Sequence, residues 1–300
     1  MPQTLEQKIS AYIELGNTLP EIPLYLKNNL NPNFELRPYQ VEAFGRFLYY
    51  LGNDKLKQKP AQLLFHMATG SGKTLIMAGA ILHLYNQGYR NFLFFVNSTN
   101  IINKTRDNFL NPLSSKYLFS EIISFGDKKV SVREVDNFQA VNEEGINIVF
   151  STIQGLHSRL NTPRENSLTY DDFENKKIVL LSDEAHHINV DTKRGKLTKE
   201  EQEEIVSWEG TVNRIFRASP DNILLEFTAT IDMANPDITA KYSDKIIFDY
   251  PLKQFRKDGY SKEVKVLQSD IPLIQRALQA IILSQYRRKV FEKYKKSIKL

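Results

Sequence analysis

The stretch FHMATGSGKTLIMAGAILHLY (residues 65–85) sets Gly70, Gly72, Lys73 and Thr74 between two apolar runs. The run that leads into it, QLLFHM (62–67), is short and continuous, as a strand buried on both faces is, and the run that follows has the length of a helix. A glycine-rich turn between a strand and a helix is the setting in which a loop holds phosphate. Its glycines let backbone N–H groups curl around an anion, and the helix directs its positive end at the same point. On this reading Thr69, Gly70, Ser71 and Gly72 cradle phosphates, Lys73 offsets their charge and the Thr74 hydroxyl ligates Mg2+. The strict spacing G-x-x-x-x-G-K-[ST] would place a glycine at 67, where Met67 stands.

Working outward, further apolar runs are NFLFFV (91–96), EIISF (121–125), NIVFS (147–151), KIVLLS (177–182), NILLEF (222–227) and KIIFDY (245–250). Most are bounded by polar residues, and helical patterns separate several of them. This predicts an α/β fold with a mainly parallel, doubly wound sheet. Helices are predicted near 39–51 and from about Lys73. Thr198 with Glu201 reads as a capping box, followed by a core stripe of Ile205, Trp208, Val212 and Ile215. A long helix is predicted over 271–298. Residues 1–33 read as a short helix and a Pro/Asn-rich segment.

The 300 residues are 41% hydrophobic and 25% charged, an ordinary globular balance. There is no cysteine, which excludes disulfides, thiolate metal sites and a cysteine nucleophile and fits a cytoplasmic protein. No apolar run approaches the ~18 residues of a membrane span, and MPQTLEQKIS has no secretory pattern. A net charge of +5 is compatible with a polyanionic partner or with a protein that is simply basic.

KIVLLSDEAHH (177–187) ends an apolar strand in Asp183 and Glu184. In a parallel sheet ligands gather at the carboxyl ends of strands. Asp183 there would hold Mg2+, and Glu184 would polarise an attacking water. Adjacent His186 and His187 in an extended segment point apart, which argues against zinc. LEFTATI (225–231) puts Thr228 and Thr230 after another strand, as a strand-end hydroxyl turn or as a link from the nucleotide to a second surface through His186 or the Asp183–Glu184 region. In LRPYQ (36–40), Arg37, Tyr39 and Gln40 could read adenine, since the Gln40 amide carries a donor and an acceptor. VNSTN (96–100) and STIQ (151–154) place Asn97, Ser98, Thr99, Ser151, Thr152 and Gln154 just after strands. These residues could cap helices, contact nucleic-acid phosphates, or do both.

Taken in order, LRPYQ, ATGSGKT, DEAHH and FTATI resemble the first RecA-like lobe of superfamily 2 DNA motors. LLSDEAHHIN with YPLKQFRKDGYSKEV (251–265) looks most like the Res subunit of type III restriction–modification systems. The resemblance implies a P-loop NTPase lobe, ATP and Mg2+ as cofactors, and translocation on duplex DNA. It also implies a DNA methyltransferase (modification) subunit as partner and a nuclease domain at the far C-terminus of the motor subunit. On this reading 34–265 is the ATP-binding lobe, and 266–300 is a linker helix to a second lobe that the chain lacks. In the family that lobe supplies arginines that quicken phosphoryl transfer ~10³–10⁵-fold. A stand-alone superfamily 2 helicase on DNA or RNA, and a binding module with negligible turnover, are the competing readings. Pro236-Asp237 with Glu263-Val264-Lys265 matches a loose nuclease pattern, which chance produces readily in a Lys/Glu-rich chain.

Overall fold

The computed structural model describes residues 3–139, 141–162, 168–174, 176–184, 199–261 and 270–294. Contacts divide the chain into two units, Met1–Ser261 and Lys262–Leu300.

In the first unit the strand ahead of the glycine-rich loop is β1 (Ala61–Met67), and the helix behind it, α4 (Lys73–Asn86), follows α1 (Leu5–Glu14), α2 (Leu24–Asn29) and α3 (Pro38–Gly52). The chain then runs through β2 (Asn91–Val96), α5 (Thr99–Leu110), β3 (Ile123–Phe125), β4 (Lys128–Val130), β5 (Val132–Glu134), β6 (Ile146–Thr152), α6 (Ile153–Asn161) and β7 (Ile178–Asp183). It closes with α7 (Lys199–Arg217), β8 (Ile223–Thr228), α8 (Pro236–Tyr242), β9 (Ile246–Tyr250) and α9 (Leu252–Lys257).

Seven strands form one sheet in the order β5-β6-β2-β7-β8-β1-β9, and every pairing in it is parallel. Both faces are buried because the strands are apolar at consecutive positions. Phe92, Phe94 and Val96 of β2 join the core that holds Phe65 and Met67, while Leu93 and Phe95 join a second core with Ile153, Leu156, Val212 and Ile215. Alternate side chains point to opposite faces, so each face needs its own helical cover. Trp208 packs against the second core, as its spacing predicted, whereas Thr198 and the Ile205 side chain lie outside the described residues.

EIISF departs from the expectation of a buried parallel strand. Only Ile123–Phe125 is extended, and it pairs antiparallel with β4 in a separate two-stranded sheet. Ile123 is buried but Ser124 is exposed, so the segment has one buried face rather than two. Asn29 fixes this hairpin: its Nδ2 donates to the Ser124 carbonyl at 2.7 Å, and its Oδ1 accepts from the Ser124 N–H at 2.8 Å. The N-terminal residues share the main core: Leu5, Ile9, Leu26 and Leu30 pack into the cluster that contains β1. In the second unit the described element is α10 (Leu273–Tyr294), on which Leu273, Ile274, Leu278, Ile281, Ile282 and Tyr286 are exposed.

The helix behind the loop is seated by one close approach. A Cβ added at Gly79 of α4 would stand 2.2 Å from Cζ of the buried Phe44 on α3. Gly79→Ala should therefore destabilise the protein by about 1 kcal/mol or more, although alanine is the better helix former by roughly the same amount. In a Phe44→Leu background the same change should cost far less. Denaturant unfolding of the four proteins of this cycle measures the coupling; equal costs in both backgrounds would remove the contact as the cause.

Candidate functional site

The carboxyl end of β1 runs straight into the glycine-rich loop. Gly70 and Gly72 hold φ of 81° and 85°, a region open to glycine and costly for other residues. Gly72 is also packed from outside, since a Cβ there would lie 2.4 Å from Nε2 of Gln40. Lys73 opens α4, is 9% exposed, and its Nζ donates to the Met67 carbonyl at 3.4 Å. The Ser71 hydroxyl is buried and has no hydrogen-bond partner among the described residues. A buried polar atom normally has a partner, so an orphan hydroxyl in this loop fits a site shaped for an anion.

Residues of LRPYQ brace the loop. Tyr39 Oη and Gln40 Nε2 both donate to the Ser71 carbonyl, each at 2.8 Å. Gln40 Oε1 accepts from the Arg37 N–H at 2.9 Å, and Gln40 is 4% exposed. Both ends of the amide are thus engaged within the protein. Arg37 itself is exposed, with its guanidinium 4.9 Å over the Tyr260 ring.

Asp183 ends β7, with β8 between it and β1. Two strand spacings are about 10 Å, a gap that a lysine side chain and a phosphate can fill from opposite sides. Burial pushes the Asp183 carboxyl up to about 6, against the pull of Lys73 and with a smaller push from Glu184. The Glu184 N–H donates to Asp183 Oδ1 at 3.0 Å. Glu184 has φ 57°, the left-handed region that non-glycine residues occupy at a cost of roughly 1–2 kcal/mol. His186 lies outside the described residues.

These residues fit a divalent cation of the magnesium type. Among the described residues no group of three or more His, Cys, Asp or Glu could hold a metal unaided. Mg2+ asks for little from protein: one or two carboxylates, with phosphate and water completing the shell. Asp183 and the Thr74 hydroxyl are of the type that would hold it, and a cation would relieve the cost of the buried carboxylate.

Between β7 and β1, the end of β8 forms a hydroxyl turn. Thr228 Oγ1 donates to the Thr230 carbonyl at 3.0 Å, and the Thr230 N–H donates back to Oγ1 at 3.2 Å. His66 of β1 reaches this turn: Nε2 lies 3.3 Å from the Ala229 carbonyl and Nδ1 lies 2.6 Å from Asp249 Oδ1 on β9. The loops after β2 and β6 also meet, because Val96 pairs with Thr152 and Gln154 Nε2 donates to Asn97 Oδ1. Thr152 caps α6 by accepting from the Gly155 N–H at 3.0 Å, and Ser98 is the N-cap residue of α5 without a side-chain cap bond. Thr99 and Gln154 are exposed, whereas Ser151 is 4% exposed with its hydroxyl on the Thr152 carbonyl. Strand order therefore lines up these two loops, the acidic pair, the threonine turn and the glycine loop along one edge.

Residues 33–233 match the family model described as "Type III restriction enzyme, res subunit". The chain belongs to this Res family. A curated relative, the "Probable type III restriction-modification enzyme HindVIP Res subunit" of Haemophilus influenzae, is 38% identical over 296 residues, which cover 91% of this chain and 57% of the relative. The chain thus spans a little over half the length of that Res subunit. Among solved structures, the DUF1998 helicase MrfA bound to DNA is 18% identical over 78% of this chain and 30% of its own, with a TM-score of 0.48. The SWI2/SNF2 ATPase core of Sulfolobus solfataricus in complex with dsDNA is 17% identical over 81% and 41%, with a TM-score of 0.40.

Sequence reasoning passed over His66, Asp249, Tyr250 and Tyr260 in this Res chain. The first two carried a signal, since each is a polar residue inside an apolar strand run. The tyrosines carried none, because an aromatic beside a strand is ordinary core. Asp183 provides a test of the electrostatics. A carboxyl held above its usual range penalises the fold while ionised, and that penalty fades as pH falls through about 6 toward the ordinary aspartate value. Asp183→Asn should therefore raise the Tm of metal-free, nucleotide-free protein near pH 7.5 by about 2–4 °C. The gain should shrink toward pH 4; a gain independent of pH would assign it to something other than this ionisation.

Proposed function

We propose that this chain is the ATP-binding lobe of an ATP-dependent motor on duplex DNA, acting within the restriction subunit of a type III restriction–modification enzyme. The observation that carries the reading is the glycine loop, with Gly70 and Gly72 at positive φ and a buried Ser71 hydroxyl that has no partner among the described residues, in a chain 38% identical to a Res subunit. Lys73 and N–H groups of the glycine loop, other than that of Ser71, which donates to the Ala68 carbonyl, receive the β- and γ-phosphates. Thr74 and Asp183 would hold Mg2+, which when bound neutralises phosphate charge. Glu184 takes a proton from water as its oxygen attacks the γ-phosphorus. The bond to the bridging oxygen breaks, and ADP and phosphate leave.

The loops that carry Asn97, Ser98, Thr99, Thr152 and Gln154 contact the DNA backbone, positioning the duplex without reading its sequence. Thr228 and Thr230, with His186, pass the state of the nucleotide on to a second surface. Residues 34–265 act as the lobe and 266–300 as its outgoing linker. A methyltransferase subunit supplies sequence recognition, and the assembly works in the cytoplasm. That no helix among the described residues is long and apolar enough to cross a membrane is compatible with this.

Lys73→Ala should weaken ATP binding by at least about a hundredfold, the factor that roughly 2.7 kcal/mol of lost charge-assisted contact represents. Equilibrium binding of ATP to the 300-residue chain measures it, and unchanged affinity would sink the phosphate-loop reading. Glu184→Gln in the complete restriction subunit should leave ATP affinity within a few-fold and lower DNA-stimulated turnover by about a hundredfold or more. Retained turnover would remove Glu184 as the base. Stimulation by RNA instead of duplex DNA would move the protein to the RNA helicases.

A further inference from the structure

The end of β1 carries a buried polar side chain that the phosphate chemistry proposed above leaves unused. His66 is 9% exposed and stands in register with Thr228 of β8 on one side and Asp249 of β9 on the other. Residues in register on parallel strands set their side chains on one face of the sheet, so the ring can reach across both neighbours. Its Nδ1 lies 2.6 Å from Asp249 Oδ1, and its Nε2 lies 3.3 Å from the Ala229 carbonyl. Both partners are oxygens that accept, so a ring that satisfies both donates from each nitrogen.

What His66 grips is the first residue beyond the ladder. Pairing of β8 runs to Phe227 on the β7 side and to Thr228 on the β1 side. Past that point the chain closes on itself, through the bonds between Thr228 Oγ1 and both the carbonyl and the N–H of Thr230. Local closure of this kind fixes the shape of a turn and leaves its place over the sheet to other contacts. The contact to Ala229 supplies that place, and the Asp249 carboxylate sets the plane of the ring that makes it. The same strand end also meets Lys73, whose Nζ donates to the carbonyl of Met67, the residue after His66.

We propose that His66, oriented by Asp249, is a positioning residue that ties the threonine turn to the end of β1, so that movement of Lys73 from Met67 to phosphate is passed to the turn. This rests on the nucleotide-driven motor function proposed above.

Two substitutions separate the two grips of the ring. Asparagine places an amide N–H near the position of Nδ1, and glutamine places one near the position of Nε2. His66→Asn therefore keeps the reach to Asp249 and loses Ala229, whereas His66→Gln keeps the reach to Ala229. The first readout is amide hydrogen exchange in the 300-residue chain, which requires no motor activity. His66→Asn should speed exchange of the Thr230 N–H about tenfold or more and leave Leu225 inside β8 unchanged, and His66→Gln should restore most of the protection. The second readout is ATP turnover by the complete restriction subunit on duplex DNA. There His66→Asn should lower kcat about tenfold and leave KM for ATP within about twofold, while His66→Gln keeps kcat within about threefold of wild type.

Equal effects of the two substitutions in either readout would reduce His66 to packing and overturn the inference. A wild-type kcat in His66→Asn would overturn it as well, and so would a raised KM with kcat unchanged, which would place His66 in nucleotide binding. If the wild-type subunit shows no turnover stimulated by DNA, the motor reading falls and the passing of the phosphate signal falls with it. Exchange at Thr230 then still decides whether His66 holds the turn.

Discussion

The Ser71 carbonyl accepts hydrogen bonds from Tyr39 and Gln40, side chains 32 and 31 residues upstream. That convergence is the constraint on which the glycine-loop end of the sheet depends. A loop with two residues at positive φ has little to fix it locally, because its glycines are free to leave those conformations. Two buried donors on one carbonyl tie it to α3, and α3 is in turn seated against α4 by the approach of Phe44 to Gly79. The loop is therefore tied to the start of α3, and the helix behind it is seated near its middle.

The same economy governs the acidic edge. Asp183 is kept ionisable at a cost, and Glu184 holds a strained, left-handed backbone conformation. Neither feature stabilises the fold. Both are what a site looks like when it is organised for a charge that comes from outside. The sheet makes such a site affordable, because its core is apolar on both faces and carries the cost of one unfavourable edge.

How much of this was legible depended on which physical signal each element leaves in the chain. β1, β2, β6, β7, β8 and β9 are buried on both faces, so they show as apolar runs that need no partner to be recognised. β5 is three residues at the edge of the sheet, two of them exposed, and such a strand writes no pattern. EIISF looked like the others because burial of one face and of two differ little over three residues. At the candidate site, Lys73, Thr74, Asp183 and Glu184 stood out as particular residue types expected after strands, and the structure puts Asp183 at the end of β7 and Lys73 at the start of α4. The bonds of the Gln40 amide to the Ser71 carbonyl and the Arg37 N–H were not readable, since a glutamine amide can serve a base or a backbone equally well. His66, Asp249 and Tyr260 depend on contacts between segments over 180 residues apart, or between ring and guanidinium, which spacing does not encode.

The neighbours of β1 have a consequence for how the protein is made. β1 pairs with β8 on one side and β9 on the other, and Ala61 meets Ile223. A ribosome adding about 5–20 residues per second reaches β8 roughly 10–30 s after it has finished β1. Through that interval β1 waits with both hydrogen-bonding edges unpaired, beside the apolar α4. Synthesis of this chain thus passes through a vulnerable stage that ends only when its last two sheet strands emerge. Translation speed over the stretch between β1 and β8, and the chaperones that meet the chain there, become part of what determines the yield of active protein.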